Sequence, residues 1–289
     1  MACAGRSDNP RTGMDRKIAI RPGRNDVRAD AAAPSATSVR GPGVAVLRLG
    51  FLLVLLALWW AAARAAPPGL FASPWAVAEA GWRLAREGEL GPALRASLAI
   101  YLSGTGAGIV VGILLGATMG MVRPIGQMLD IYVHALAATP RVAFIPLIIV
   151  LLGLGFQAKV LVVFLGAVMP VVLNSYAGVR AADADLVEMA RATGASRRRI
   201  LLHVVLPGAL PFLLAGVRLG ATIGLINTVV AELYTAVTGL GGLLAIYGSR
   251  FQMADYLAVV VVLALIGVTM TEGLRLVETR LLRWRGAPH

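Results

Sequence analysis

Long apolar stretches separated by short charged segments constrain the fold of this chain more than any other feature. A helix needs about 20 predominantly apolar residues to cross the hydrocarbon core of a bilayer, and several stretches reach that length. The 289 residues are 58% hydrophobic and only 15% charged, whereas soluble domains carry about 25% charged residues. The sequence therefore predicts an all-α, polytopic membrane protein.

Six of these stretches predict about six transmembrane helices. They cover approximately residues 44–63, 97–122, 142–156, 160–179, 210–230 and 257–272. The third stretch is short for a full crossing, so we expect it either to use residues before Pro140 or to be broken and kinked by Pro140 and Pro146. The glycine-rich apolar stretch 233–247 is expected to be re-entrant or to lie on the surface, rather than to form a seventh span.

The positive charge of the chain predicts its orientation. Residues 1–43 are rich in Arg, Ala, Gly and Pro, which predicts a disordered basic tail in front of a membrane domain at 44–289. Twenty of the 27 Lys and Arg lie in this tail, at the inner end of the first span, after the second and fourth spans, and at the C terminus. The positive-inside rule then places both termini in the cytoplasm, with Arg123 and Arg141 in the first inner loop. Because the charge is scattered between apolar stretches, the net charge of +12 does not indicate nucleic-acid binding.

Glycines at a spacing of four residues mark one face of the second span. They are Gly104, Gly108, Gly112, Gly116 and Gly120. The fifth span repeats the spacing with Gly216, Gly220 and Gly224. A face without side chains lets another helix approach closely, which fits either ordinary packing within a bundle or helices that rock against their neighbours.

No sequence pattern for catalysis or metal binding is present. The three histidines are far apart, Cys3 is the single cysteine, and the glycine-rich loop that cradles nucleotide phosphates is missing. If the protein uses ATP, the nucleotide site is therefore on another chain. Ion-coupled carriers usually keep ionisable groups within their spans; here Arg218 is the clear candidate, and Glu232 lies near an outer end.

The segment between the fourth and fifth spans carries its own helix signals. Asp183 or Asp185 can cap a first short helix, and Gly194 suits its C-terminal end, where the backbone is commonly left-handed. Ser196 can cap a second helix, which we expect to stop at Pro207. Two interpretations follow: a compact knob on the cytoplasmic surface, or an amphipathic hairpin that lies on anionic lipid.

This segment, about residues 181–207, resembles the EAA loop of permease subunits of ATP-binding-cassette (ABC) importers. In that family the loop contacts the ATPase subunit. The positions of the family pattern are filled by Glu188, Ala190, Gly194, Val204, Leu206 and Pro207. Two departures are mild, since Met189 stands where Ala is usual and Val204 stands where Ile is usual.

Flanking segments are similar to the nitrate, sulfonate and taurine branch of these permeases, over about residues 94–282. The similar features are Ser97 with Gly104, Thr139-Pro140 with Ala143, Ile145-Pro146-Leu147, Gly153-Leu-Gly155, Gly216-Val-Arg218, and Glu232 before Gly239-Leu-Gly241. His134 departs from the branch, which often has Arg nearby.

The resemblance implies the transmembrane fold of a type I ABC importer in the inner membrane. It implies a permease homodimer in membrane lipid, two cytoplasmic ATPase subunits that hold ATP and Mg²⁺, and an external solute-binding protein. The chain itself would perform no chemistry and would carry no cofactor or metal. Its solute would be a sulfonate, taurine, nitrate or a similar small molecule.

The resemblance also suggests where the solute would pass. We expect the third and fifth spans to form the wall or hinge of the pathway, with Pro140, Pro146, Gly216, Gly220 and Glu232 as candidate residues. The main alternative is a carrier or channel driven by an ion gradient, which predicts acidic residues within the spans. A membrane-embedded enzyme is a more distant alternative, because the sequence offers no set of acid, base and nucleophile.

Overall fold

The computed structural model describes residues 42–67, 69–235 and 238–283. Within these ranges the regular structure is helical, without strands. The helices are α1 (Pro42–Ala65), α2 (Pro74–Arg86), α3 (Leu90–Met121), α4 (Arg123–Ala138), α5 (Ile145–Leu152), α6 (Phe156–Arg180), α7 (Ala184–Ala192), α8 (Arg197–Ile200), α9 (Leu206–Thr235), α10 (Leu240–Ser249) and α11 (Met253–Leu281). From Leu52 onward, the described residues form one compact unit.

The helices confirm the predicted polytopic fold. Five are long and apolar enough to cross a membrane, namely those within α1, α3, α6, α9 and α11, and α4 with α5 forms a further candidate span that is bent by 82°. Helix α1 begins at Pro42, two residues inside the predicted tail. Residues 1–41 lie outside the described residues, so the disordered tail stays a prediction.

The glycine ladder of α3 packs against α6, and the contacts keep the same spacing on both helices. A Cβ on Gly104, Gly112 or Gly120 would lie 2.6–2.7 Å from the Cβ of Val163, Val171 or Val179, respectively, so only glycine permits this approach. The residue numbers rise together on the two helices, and α3 and α6 are therefore parallel.

Helix α9 packs against α6 in the opposite direction. A Cβ on Gly216 would lie 2.8 Å from Cβ of Asn174, and a Cβ on Gly220 would lie 2.8 Å from Cγ2 of Val171. Helices α3, α6 and α9 thus form the core of the unit, with α6 between two glycine-lined faces. We call the end of this bundle that holds the last turns of α3 and α6 the inner end, after the predicted orientation.

The bent pair α4–α5 provides the return crossing that two parallel neighbours require. Val133 of α4 is buried with Val168 and Val172 of α6, whereas Ile145 of α5 is buried with Ala158, close to the start of α6. The bent pair therefore runs along α6, from the inner half of α6 to the outer end of α6. The sequence predicted that the third span either uses residues before Pro140 or is broken by the prolines. The structure shows both, because the span includes α4 and is broken at Pro140.

The prediction that residues between the second and third spans form an inner loop is wrong. Residues 123–138 are helical, and Arg141 lies at the bend rather than at the inner surface. The helix was missed because it is amphipathic: Asp130 and His134 share its polar face, which lowers its average hydropathy below that of a uniform span.

Two further helices lie near the outer end. Val77, Ala80 and Leu84 of α2 pack in one cluster with α10 and α11, and α2 lay outside the predicted spans. Helix α10 occupies the end of the apolar stretch 233–247. Its 10 residues reach about 15 Å, half of a bilayer core, which excludes a seventh span.

Candidate coupling hairpin and transport pathway

The hairpin at the inner end is built from two helices with side-chain caps. At the start of α7, the Asp183 carboxylate accepts hydrogen bonds from the backbone N–H groups of Asp185 (2.9 Å) and Leu186 (3.4 Å). Asp183 is therefore the N-cap, and Asp185 is an acidic residue of the first turn. Both features stabilise a helix start.

Gly194 ends α7 in the conformation that its sequence position predicted. Its φ angle is +76°, in the left-handed region that disfavours residues with a Cβ. The N–H of Gly194 donates to the carbonyl of Arg191 (2.9 Å), and the N–H of Ala195 donates to that of Ala190 (3.0 Å), as in a Schellman motif. A Cβ on Gly194 would meet no atom of the chain within 4 Å, so the surface above it is open.

The second helix of the hairpin does not stop at Pro207, and that prediction is wrong. Ser196 caps α8 by accepting a hydrogen bond from the N–H of Arg199 (3.4 Å). The helix then widens into a π-helical turn at Leu201–Val205, where the N–H of Leu206 donates to the carbonyl of Leu201. A wide turn relieves the clash between a proline ring and the preceding turn, so the chain stays helical from Arg197 to Thr235.

The motif residues of the hairpin lie on the surface of the chain. Glu188 and Gly194 are exposed, and Leu186 and Met189 beside them are 51% and 65% exposed. The second half of the motif, Val204 to Pro207, lies on the π-helical turn and the start of α9 and is partly exposed. Exposed apolar side chains on a short, capped helix form a surface that can contact another protein.

The candidate pathway residues lie in three different settings. Pro140 stands at the break between α4 and α5, and Pro146 is in the first turn of α5, where its missing N–H costs no hydrogen bond. Gly216 and Gly220 face α6 in the core and are buried. Their roles in transport stay predictions.

Glu232 is fully buried at the outer end, where it joins three helices. Its carboxylate accepts hydrogen bonds from Oγ of Ser97 on α3 (2.8 Å) and from the N–H of Gly241 on α10 (2.9 Å). Ser97 in turn accepts a hydrogen bond from the N–H of Leu240 (2.8 Å). Glu232 thus caps the N terminus of α10, where a negative charge is favoured.

Neighbouring residues complete this outer cluster, which we define as Ser97, Lys159, Glu232, Thr238 and Gly239. Lys159 is 3% exposed and donates to Oγ1 of Thr238 (2.9 Å). Gly239 has φ +91°, and a Cβ there would collide with the Glu232 carboxylate. The sequence indicated Glu232 and the glycines separately, but it gave no sign that Ser97 and Lys159 join them.

The outer end also carries two polar contacts between distant parts of the chain. Arg83 of α2 is paired with Asp255 of α11, and the Tyr247 hydroxyl donates to the carboxylate of Glu89. The hydrogen bond with Asp255, and next its charge, raise the pKa of Arg83 above the ordinary value for arginine. In the described part of the chain, no group of three or more His, Cys, Asp or Glu could hold a metal ion.

Comparisons with known proteins agree with this architecture. The family described as "Binding-protein-dependent transport system inner membrane component" matches residues 108–283. The taurine transport system permease protein TauC of Escherichia coli is 33% identical over 247 residues, which cover 83% of this chain and 90% of that protein. The putative aliphatic sulfonates transport permease protein SsuC of E. coli is 35% identical and covers 75% of this chain and 82% of that protein. The riboflavin transport system permease protein RibX of Chloroflexus aurantiacus is 33% identical, with 82% and 89% covered.

Solved structures share the fold at lower sequence identity. An inward-facing form of the MetNI methionine ABC transporter has a TM-score of 0.57 at 21% identity, with 71% of this chain and 97% of that chain covered. An amino acid ABC transporter has a TM-score of 0.55 at 21% identity, with 65% and 92% covered. This chain therefore shares its fold with membrane chains of these two ABC transporters.

Proposed function

Because the chain belongs to the family of binding-protein-dependent transport system inner membrane components, we propose that its hairpin α7–α8 couples a separate ATPase to solute transport. The chain is a multi-pass permease subunit of an ABC importer in the inner membrane, and it is a transport component rather than a catalyst. Subunits of this family work with ATPases and with a solute-binding protein. The ATP and Mg²⁺ would be held by the ATPase chain.

One observation carries the coupling role: the hairpin is exposed on one side and continuous with a membrane helix on the other. Its first helix presents Leu186, Glu188 and Met189, and its second helix runs without a break into α9. A displacement of the hairpin by an ATPase would therefore reach the core contacts of α9 with α6. An amphipathic hairpin on lipid is the competing interpretation.

The decisive substitution is Gly194→Gln, with Gly88→Gln as its matched control. Both glycines have a positive φ (+76° and +81°), and a Cβ on either would meet no atom of the chain within 4 Å. The backbone cost, about 1–2 kcal/mol, is therefore similar, and the two positions differ in lying at opposite ends of the bundle. We expect Gly194→Gln to reduce co-purification of the ATPase and solute uptake at least tenfold, while Gly88→Gln leaves both unchanged. Normal ATPase recovery with Gly194→Gln would favour the lipid-surface hairpin.

The solute is a small sulfonate in this proposal, with taurine as the first compound to test. The names of two relatives at 33% and 35% identity, TauC and SsuC, support a sulfonate. RibX, which is equally similar at 33%, is a riboflavin system, so overall identity alone does not separate these solutes. Uptake competition among taurine, ethanesulfonate, nitrate and riboflavin would decide: competition by riboflavin but not by sulfonates contradicts the proposal.

We further propose that both termini are cytoplasmic and that the permease is a homodimer in membrane lipid. The described helices support termini on the same side of the membrane, because α1, α3, the bent pair, α6, α9 and α11 give an even number of crossings. The end of the bundle that carries the hairpin holds the clustered residues Arg197, Arg198 and Arg199, and the positive-inside rule places such an end in the cytoplasm. A reporter that is active only outside the cell, fused after Arg285, should be silent.

A further inference from the structure

Arg141 lies about halfway along the membrane-spanning bundle rather than at one of its two ends. It follows the break at Pro140, between Val133 and Ile145 along the chain. Val133 packs beside residues 168–172 of α6, and Ile145 packs beside residues 158–162. Arg141 is therefore close to the level of residues 162–168, the central part of α6 (Phe156–Arg180).

The positive charge of Arg141 has no acidic partner among the described residues. Its Nη2 donates to the carbonyl of Ala137 in the last turn of α4 (3.2 Å), while its buried Nε has no hydrogen-bond partner in this part of the chain. An arginine carries five N–H donors. The contact with Ala137 therefore leaves most of the N–H donors of the guanidinium available to bind another group.

Arg141 must face something other than lipid. A charged side chain at mid-bilayer depth is costly, and such residues almost always face the bundle interior or a water-filled cavity. The chain around the bend is open outward: Val142 and Phe144 are 45% and 40% exposed. Arg141 itself is partly exposed, so part of its side chain reaches a surface that this protomer leaves uncovered.

We propose that Arg141 lines the solute pathway at the bend of the third span and binds the anionic group of the solute. This inference rests on the proposed function, because it names the chemistry by which the permease recognises a sulfonate. A guanidinium presents a planar fork of donors that fits two oxygens of a tetrahedral oxyanion. Pro140 breaks the helix at this point, and irregular backbone inside a membrane is tolerated where it lines a cavity rather than lipid.

The first test measures ATP-driven uptake of ethanesulfonate by reconstituted permease–ATPase complexes with their binding protein. Hydrogen bonds to charged groups imply a loss of about tenfold or more, so we expect that reduction in maximal uptake for Arg141→Gln. Arg141→Lys should retain more activity than Arg141→Gln but less than wild type, because it keeps the charge and loses the planar pair of donors. Arg123→Gln is the matched control, since Arg123 begins the same bent span at its inner end; it should transport normally. All variants should co-purify with the ATPase, and wild-type uptake by Arg141→Gln would overturn the inference.

The second test does not depend on the solute. In a Cys3→Ser background, Arg141→Cys should react with a negatively charged, water-soluble methanethiosulfonate reagent. Leu114→Cys, at a 64% exposed position on α3, should react far more slowly because we expect it to face lipid. If the thiol at position 141 is as unreactive as that at 114, Arg141 does not line an aqueous pathway. If the wild-type complex takes up no sulfonate, the proposed substrate class is wrong, and the labelling still decides where Arg141 lies.

Discussion

The inner hairpin and the outer cluster both cap short helices with side chains. The capping residues are exposed and adjacent in sequence in the hairpin, whereas those of the outer cluster are buried and distant in sequence. In the hairpin, Asp183 and Ser196 cap helices that begin one residue later, and both are exposed. In the outer cluster, Ser97 and Glu232 are 135 residues apart, and Glu232 is fully buried. The hairpin therefore stabilises itself and leaves its surface for a partner, whereas the outer cluster uses its polar groups to hold α3, α9 and α10 together.

This difference implies that substitutions will separate two properties of the protein. Changes in the outer cluster should lower the free energy of unfolding, because buried donors and acceptors lose their partners. Changes in the hairpin should cost less stability and act mainly on the contact with the ATPase.

Two glutamates give the strongest contrast. Glu232→Leu should destabilise the purified permease by about 3–5 kcal/mol, because it leaves the Ser97 hydroxyl and the Gly241 N–H without their acceptor and removes the negative charge near the buried Lys159. Glu188→Ala removes an exposed carboxylate in the second turn of α7, beyond the reach of the helix dipole, and should change stability by less than about 0.5 kcal/mol. Thermal unfolding of both variants in the same detergent measures the difference. Equal shifts in Tm would mean that the outer cluster does not hold the helices together.

Two glycines with positive φ sharpen the contrast. Gly239→Ala should cost about 3 kcal/mol, because the left-handed backbone is strained and the new Cβ displaces the Glu232 carboxylate. Gly194→Ala should cost about 1–2 kcal/mol, because the backbone is strained but the surrounding space is open. Unfolding curves of the pair check this order, and the reverse order would show that crowding at Gly239 is relieved by local movement.

The ion pair between α2 and α11 should have the smallest effect. The Arg83 side chain is 52% exposed, and the Asp255 side chain is 9% exposed. We expect Arg83→Gln to lower stability by about 0.5–1 kcal/mol at low salt, with a smaller difference in 1 M NaCl because salt screens exposed charges. A loss as large as that of Glu232→Leu would place this pair among the main contacts of the fold.

The sequence predicted the features that depend on neighbouring residues. The long apolar helices, the cap at Ser196 and the left-handed Gly194 follow from local patterns of hydropathy and capping, and the structure has each of them. The features that depend on tertiary packing were missed. A π-helical turn lets α9 continue through Pro207, and burial against α6 makes the mixed segment 123–138 a helix. The join between Ser97 and Glu232 could not be predicted either, because no local pattern pairs residues so far apart.

The central claim is that this chain transports solute only when a separate ATPase drives it. The most direct test is uptake of radiolabelled taurine into liposomes that contain the permease, alone or with its ATPase and binding protein. We expect ATP-dependent accumulation from the complete system, and neither ATP hydrolysis nor uptake from the permease alone under a proton or sodium gradient. Accumulation of taurine by the permease alone, driven by either gradient, would contradict the claim and establish an ion-coupled carrier.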